Sequence, residues 1–165
     1  DGVLSLTGTP GEGAEGSSSI VLEARDEAGA VARQEFILVV NSRPVISNFN
    51  IETEEDIAFN FSTEFNDSYY DADSQPMEKI VIVSLPRNGS LSLSAQPVAS
   101  GMEIQASQLT ALQYTPDENF SGNDTVQWNA SDGISVAAST ANAIISITPL
   151  NDPPEIINLD PAILD

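Results

Sequence analysis

The chain has 165 residues, with 25 acidic and 5 basic side chains, a net charge of −20, and neither cysteine nor histidine. Disulfides, thiol chemistry, histidine catalysis and Cys/His zinc sites are excluded, and so few cations make nucleic acid and anionic membranes unsuitable partners. Apolar residues form 41% of the chain, enough for a core, yet no run reaches the ~20 apolar residues of a membrane span.

Residues 1–40 read as the last strands of an incomplete module. Leu4-Ser5-Leu6 alternates, and Thr9-Pro10-Gly11-Glu12-Gly13 is a turn-rich loop. Strands are expected over 20–24 and 35–40, joined through Asp26-Glu27-Ala28-Gly29. Three strands cannot bury two sheet faces. Residues 1–44 are therefore expected to be the C-terminal part of a truncated β-sandwich plus a linker.

Residues 45–150 carry a complete set, with strands expected over 45–51, 57–61, 79–85, 90–94, 112–115, 125–130 and 141–148. Ile57, Phe59 and Phe61 alternate with polar or small residues, as do Leu91 and Leu93, and Val126, Trp128 and Ala130. One apolar face per strand is what a sandwich needs. Asn88-Gly89, Ser121-Gly122-Asn123-Asp124 and Ser131-Asp132-Gly133 supply turns between strands. The expected fold is all-β, a Greek-key sandwich of cadherin-like or immunoglobulin-like type. Trp128 is read as a core anchor. Residues 151–165 are expected to be a linker and the first strand of a following module.

Two stretches share one plan. Glu35-Phe36-Ile37-Leu38-Val39-Val40-Asn41-Ser42-Arg43-Pro44-Val45-Ile46 is an apolar run, an Asn, a Pro, then β-branched residues. Residues 143–157 repeat it, with Asn151 standing 110 residues after Asn41. A period near the size of a small β domain marks a tandem array of domains.

The carboxylates are clustered. Glu52, Glu54, Glu55 and Asp56 open the complete domain, and Asp67, Asp71 and Asp73 share one loop. Asp132 lies in a late turn, and Asn151 and Asp152 lie in the second linker. Calcium takes six to eight oxygens from carboxylates, amides and backbone carbonyls on flexible loops, and an Asp-x-Asp pair can converge on one ion. The plainer reading has equal standing: Asp and Asn favour turns because they bond their own backbone.

These residues resemble a known family. Asn151-Asp152-Pro153-Pro154 resembles the linker of cadherin repeats and of cadherin-like repeats in large bacterial surface proteins. Asp71-Ala72-Asp73 resembles their Asp-x-Asp motif, and Glu54-Glu55-Asp56 their acidic start. The stretch from Leu112 to Thr125, with Tyr114-Thr115-Pro116 and Asn119-Phe120-Ser121-Gly122-Asn123-Asp124, resembles a signature of bacterial tandem repeats. Leu6-Thr7-Gly8-Thr9-Pro10, with Ala24-Arg25-Asp26 and the strand after it, resembles the second half of an Ig-type or dystroglycan-type cadherin-like module. The resemblance implies an extracellular or cell-surface rod, with calcium at domain junctions. Its implied partners are neighbouring repeats of the same chain and a cell-surface protein or glycan. It implies Glu55, Asp71, Asp73, Asp132, Asn151 and Asp152 as candidate metal ligands. It also implies a grouping in which the acidic start and late turn of one domain meet the linker and the Asp-x-Asp of the next. The first linker departs from the pattern, with Ser42 where the second has Asp152, and Arg43 beside it.

No nucleophile elbow, phosphate loop or Ser-His-Asp set is present, and no carboxylate pair stands out as a glycosidase pair. The chain is therefore read as a non-catalytic spacer module of a large adhesin. The alternative is a carbohydrate-binding accessory module of a secreted polysaccharide-degrading protein, for which Tyr69-Tyr70 is the adjacent aromatic pair.

Overall fold

The computed structural model describes residues 7–11 and 13–153. Strands β1 (Gly16–Arg25) and β2 (Val31–Val40) form one antiparallel hairpin, paired from Gly16↔Val40 to Arg25↔Val31. Asp26 closes its turn by accepting the Ala30 N–H at 2.8 Å, and Gly29 supplies the left-handed residue there, at φ 85°. Ile20, Leu22, Phe36 and Val40 are half-buried on one face, whereas Val21, Ile37 and Val39 on the other are exposed.

The next body runs from 45 to 148. Its elements are β3 (Val45–Ile46), β4 (Phe49–Glu54), β5 (Phe59–Asn60), α1 (Glu64–Asp67), β6 (Tyr69–Tyr70), β7 (Lys79–Ser84), β8 (Gly89–Leu93), β9 (Gln96–Pro97), β10 (Glu103–Gln105), a 3-10 helix (Ala106–Ala111), β11 (Leu112–Pro116), β12 (Gly122–Ser131) and β13 (Ala141–Thr148). One sheet has the order β10-β7-β12-β13-β4, the other β5-β11-β8-β9, and β3 pairs with β6. The neighbours β7–β12 and β4–β13 are far apart in sequence, the crossed connections of a Greek key. The first long strand, β4, lies parallel to the last, β13.

The facing sheets bury Ile80, Ile82, Val126, Trp128, Ala143 and Ile145 from one side and Leu91, Leu112 and Tyr114 from the other. Phe65 packs edge-on to Trp128 at 5.0 Å and to Phe49 at 5.1 Å, and Phe61 lies 5.0 Å from Phe65. Aromatic pairs of this kind add about 0.5–1.5 kcal/mol each beyond burial. Trp128 is thus the core anchor expected of it.

Two expectations change. Ile57 does not share the buried face of Phe61: it is 49% exposed against 1%. The chain turns at Asp56, φ 62°, and pairing resumes only at Phe59. The acidic loop 66–73 contains the end of α1 and the short strand β6. Both α1 and the 3-10 helix are too short to leave a helical period in the sequence. The expected strand after residue 153 and the alternation at Leu4 to Leu6 lie outside the described residues.

Candidate functional site

The first linker, 41–44, is held against the sandwich. Pro44 is fully buried, and its ring fixes φ where the chain enters β3. The Asn41 amide donates to Asp132 Oδ2 at 2.9 Å, to Ser135 Oγ at 3.1 Å and to the Ser42 carbonyl at 2.7 Å. The Ser42 N–H donates to Asp73 Oδ2 at 2.6 Å. The Asn41 side chain and the Ser42 N–H therefore rest on two carboxylates from loops 91 and 31 residues further along.

Asp71 organises the loop after β6. Its Oδ1 accepts the N–H groups of Asp73 at 2.8 Å and Gln75 at 3.1 Å, an arrangement that Ser74 completes at φ 61°. Asp71 is only 6% exposed, and its Oδ2 has no partner among the described residues. Asn41 Oδ1 and Gln75 Oε1 are likewise buried without a donor. Buried oxygens of this kind are nearly always satisfied, and each unmade bond costs about 1–3 kcal/mol.

Asp132 caps the turn after β12. It accepts the Ile134 N–H at 2.7 Å, the Ser135 N–H and, at 3.0 Å, the Ser135 hydroxyl. Burial pushes its pKa up, but the bonds from Asn41, Ser135 and Ile134 outweigh it and bring the value down to about 2. Tyr69 stands between the two loops, its hydroxyl 3.3 Å from the Gln75 carbonyl. Burial foremost, then the charges of Asp71 and Asp132, push its pKa up to about 12. Asp71 and Asp132 thus act on one hydroxyl despite their separation in sequence. Beside them an open cleft of about 630 Å³ is lined by Glu15, Asn41, Ser42, Arg43 and Asp73 among others. Among the described residues no three acidic side chains already converge at metal-ligand spacing; the carboxylates are instead engaged with amides.

Glu55 serves the other linker. It is 6% exposed, its N–H donates to the Thr148 carbonyl at 2.9 Å, and its Oε1 accepts the Leu150 N–H at 2.7 Å. Asn151 and Asp152 are exposed, and the Asn151 amide donates to the Asp152 carbonyl at 3.2 Å, its one partner among the described residues. The six candidate ligands therefore divide. Asp73 and Asp132 bond the first linker, Asp71 organises the loop that carries Asp73, and Glu55 meets the second linker beside Asn151 and Asp152. The grouping that the resemblance implies puts Asp132 with the second linker; its bond to Asn41 places it beside the first. The reason is topological: β12 pairs with β7, Ser131 opposite Lys79, which carries its end back toward the start of the domain. Asn41 and Gln75 were not among the candidates. The equivalence of Asn41 with Asn151 was a usable signal; Gln75 offered none.

Residues 41–148 match the model of a family described as bacterial Ig domain. No curated protein matches the sequence. Among solved structures, the chain is similar to a variant of the endo-fucoidan hydrolase MfFcnA4 of glycoside hydrolase family 107, at 20% identity and a TM-score of 0.42 over 93% of this chain and 21% of that one. It is similar to the endo-fucoidan hydrolase MfFcnA9 at 19% identity and a TM-score of 0.34, over 86% of this chain and 23% of that one. The chain spans less than a quarter of the length of either structure.

Proposed function

The chain belongs to the bacterial Ig domain family, and from that premise we propose that it is a non-catalytic extracellular repeat module of a large surface or secreted adhesin. It acts as a spacer whose joints calcium stiffens. The observation that carries this reading is the seating of the first linker on the sandwich: Asn41 on Asp132 and the Ser42 N–H on Asp73. A linker held this way transmits orientation from one module to the next.

The oxygens at that joint suit a hard cation. Asp71 Oδ2, Asn41 Oδ1 and Gln75 Oε1 are buried acceptors without donors among the described residues, and the carboxylates of Asp73 and Asp132 bond this linker. Calcium bound there would supply positive charge to three carboxylates and tie the linker to both loops. Glu55, Asn151 and Asp152 would serve the second joint in the same way.

Thermal unfolding in calcium and in chelator tests the proposal. Calcium at ~100 times its dissociation constant should add ~2.7 kcal/mol to stability. Asp71→Asn should remove most of that gain. Identical melting curves would discard calcium and leave a spacer held by hydrogen bonds alone.

One observation favours the accessory reading. Tyr70 is 65% exposed, opposite Val45, which is 61% exposed, while Tyr69 packs against the core. A single exposed ring can stack on a sugar. Glycan-array binding lost on Tyr70→Ala would support that reading over the spacer.

A further inference from the structure

We infer that Arg43 is a built-in counter-cation of the first junction, which holds the calcium affinity of that site down through a repulsion that salt screens. The inference rests on the calcium reading above and concerns a residue that reading leaves out.

Arg43 lies two residues past Asn41 and lines the same cleft as Asp73 and Glu15. Its side chain is exposed and makes no ion pair among the described residues, whereas Arg25, Arg33 and Lys79 are paired with Glu23 or Glu103. The Arg43 charge is therefore not neutralised locally, and its field falls on the carboxylates that face the cleft. A guanidinium stays protonated at any ordinary pH, so this charge is permanent.

The two linkers differ at the two positions that matter. After Asn41 come Ser42 and Arg43; after Asn151 come Asp152 and Pro153. The first joint thus lacks one negative charge and gains one positive charge relative to the second. Calcium sites set their affinity largely by ligand charge count. A fixed positive charge that lines the same cleft as one of the ion's carboxylates opposes binding by on the order of ten-fold at low salt. It also gives the apo joint part of the neutralisation that calcium would provide, so the linker can stay seated when calcium is scarce. The hydrogen bonds from Asn41 and Ser42 to Asp132 and Asp73 describe such a seated state.

The test is calcium titration of the full chain by calorimetry, with terbium luminescence as a local readout. Tyr69, beside Asp71, serves as the antenna, and Asp71→Asn assigns the signal to this joint. Arg43→Gln should bind calcium about ten-fold more tightly than the wild type at low ionic strength, with the gain shrinking in about 0.5 M salt. Arg43→Lys, which keeps the charge, should match the wild type. Equal or weaker binding by Arg43→Gln, with the wild type still binding, would overturn the inference and leave the calcium reading intact. Should no variant bind, Arg43→Glu included, the calcium reading falls and this inference falls with it.

Discussion

Asp124 is 4% exposed and has no ion pair among the described residues. Four donors hold its charge instead: Arg87 N–H at 2.9 Å and Thr125 N–H at 2.8 Å on Oδ1, Asn88 N–H at 2.9 Å and the Tyr114 hydroxyl at 3.0 Å on Oδ2. An amide in its place would turn one pair of donors against an NH₂ group. Asp124→Asn should therefore cost about 2–3 kcal/mol in urea unfolding, and Tyr114→Phe about 1 kcal/mol. The two losses should be non-additive, since each removes the same bond; strict additivity would show that the hydroxyl and carboxylate are not coupled. Asp132 supports a prediction in pH. Its folded pKa, about 2, lies below the ordinary 3.8. Its contribution is thus fully present above the unfolded value and is lost as pH falls through the interval between 3.8 and about 2. A carboxyl-detected NMR titration should find this low value, and Asn41→Ala should raise it. If the Asn41 change leaves the titration where it was, the linker contact is not what holds the charge.

Strand β8 shows how space rather than conformation constrains an element. Gly89 has no positive φ, but a Cβ built there would lie 2.6 Å from the Thr115 carbonyl and 2.6 Å from the Tyr114 hydroxyl. Gly89→Ala must push β8 from β11 and disturb the Tyr114–Asp124 bond, for an overpacking cost of about 1–3 kcal/mol; an unchanged urea midpoint would show that β11 yields freely. Much of the element map could be read in advance. Leu91, Leu93, Val126, Trp128 and Ala130 alternate because their strands bury one face, and all five are buried. Asn88-Gly89 reads as a turn on composition alone, yet Gly89 opens the strand and its missing side chain answers a neighbour, which no local rule encodes. Elements of two or three residues, such as β6, β9 and β10, carry no period at all. The site divides along the same line. Asp71-Ala72-Asp73 and Asp132 were legible as loop carboxylates, but which linker each serves depends on strand pairing between β7 and β12. The orphaned oxygens of Asn41 and Gln75 are a property of burial, and burial of one amide among many polar residues leaves no pattern in the chain.

At the scale of the whole molecule, the net charge of −20 opposes compaction everywhere, not only at the joints. Screening shortens the reach of that repulsion from roughly 10 Å at 0.1 M salt to about 3 Å at 1 M. Sodium chloride should therefore raise the melting temperature by itself, most steeply at low concentration. This general effect can be separated from calcium at a defined site. Repulsion among exposed carboxylates responds to ionic strength whatever the cation. The joint oxygens Asp71 Oδ2, Asn41 Oδ1 and Gln75 Oε1 are buried, and buried pairs are screened far less than surface ones. Melting curves with and without calcium, measured across a salt series, should keep a calcium increment after the sodium chloride response has levelled off, and Asp71→Asn should remove the increment without changing the response. If the increment fades in step with rising sodium chloride, the acidic loops are a diffuse counterion atmosphere rather than a joint, and the stiffness of the spacer must come from Pro44 and the linker hydrogen bonds.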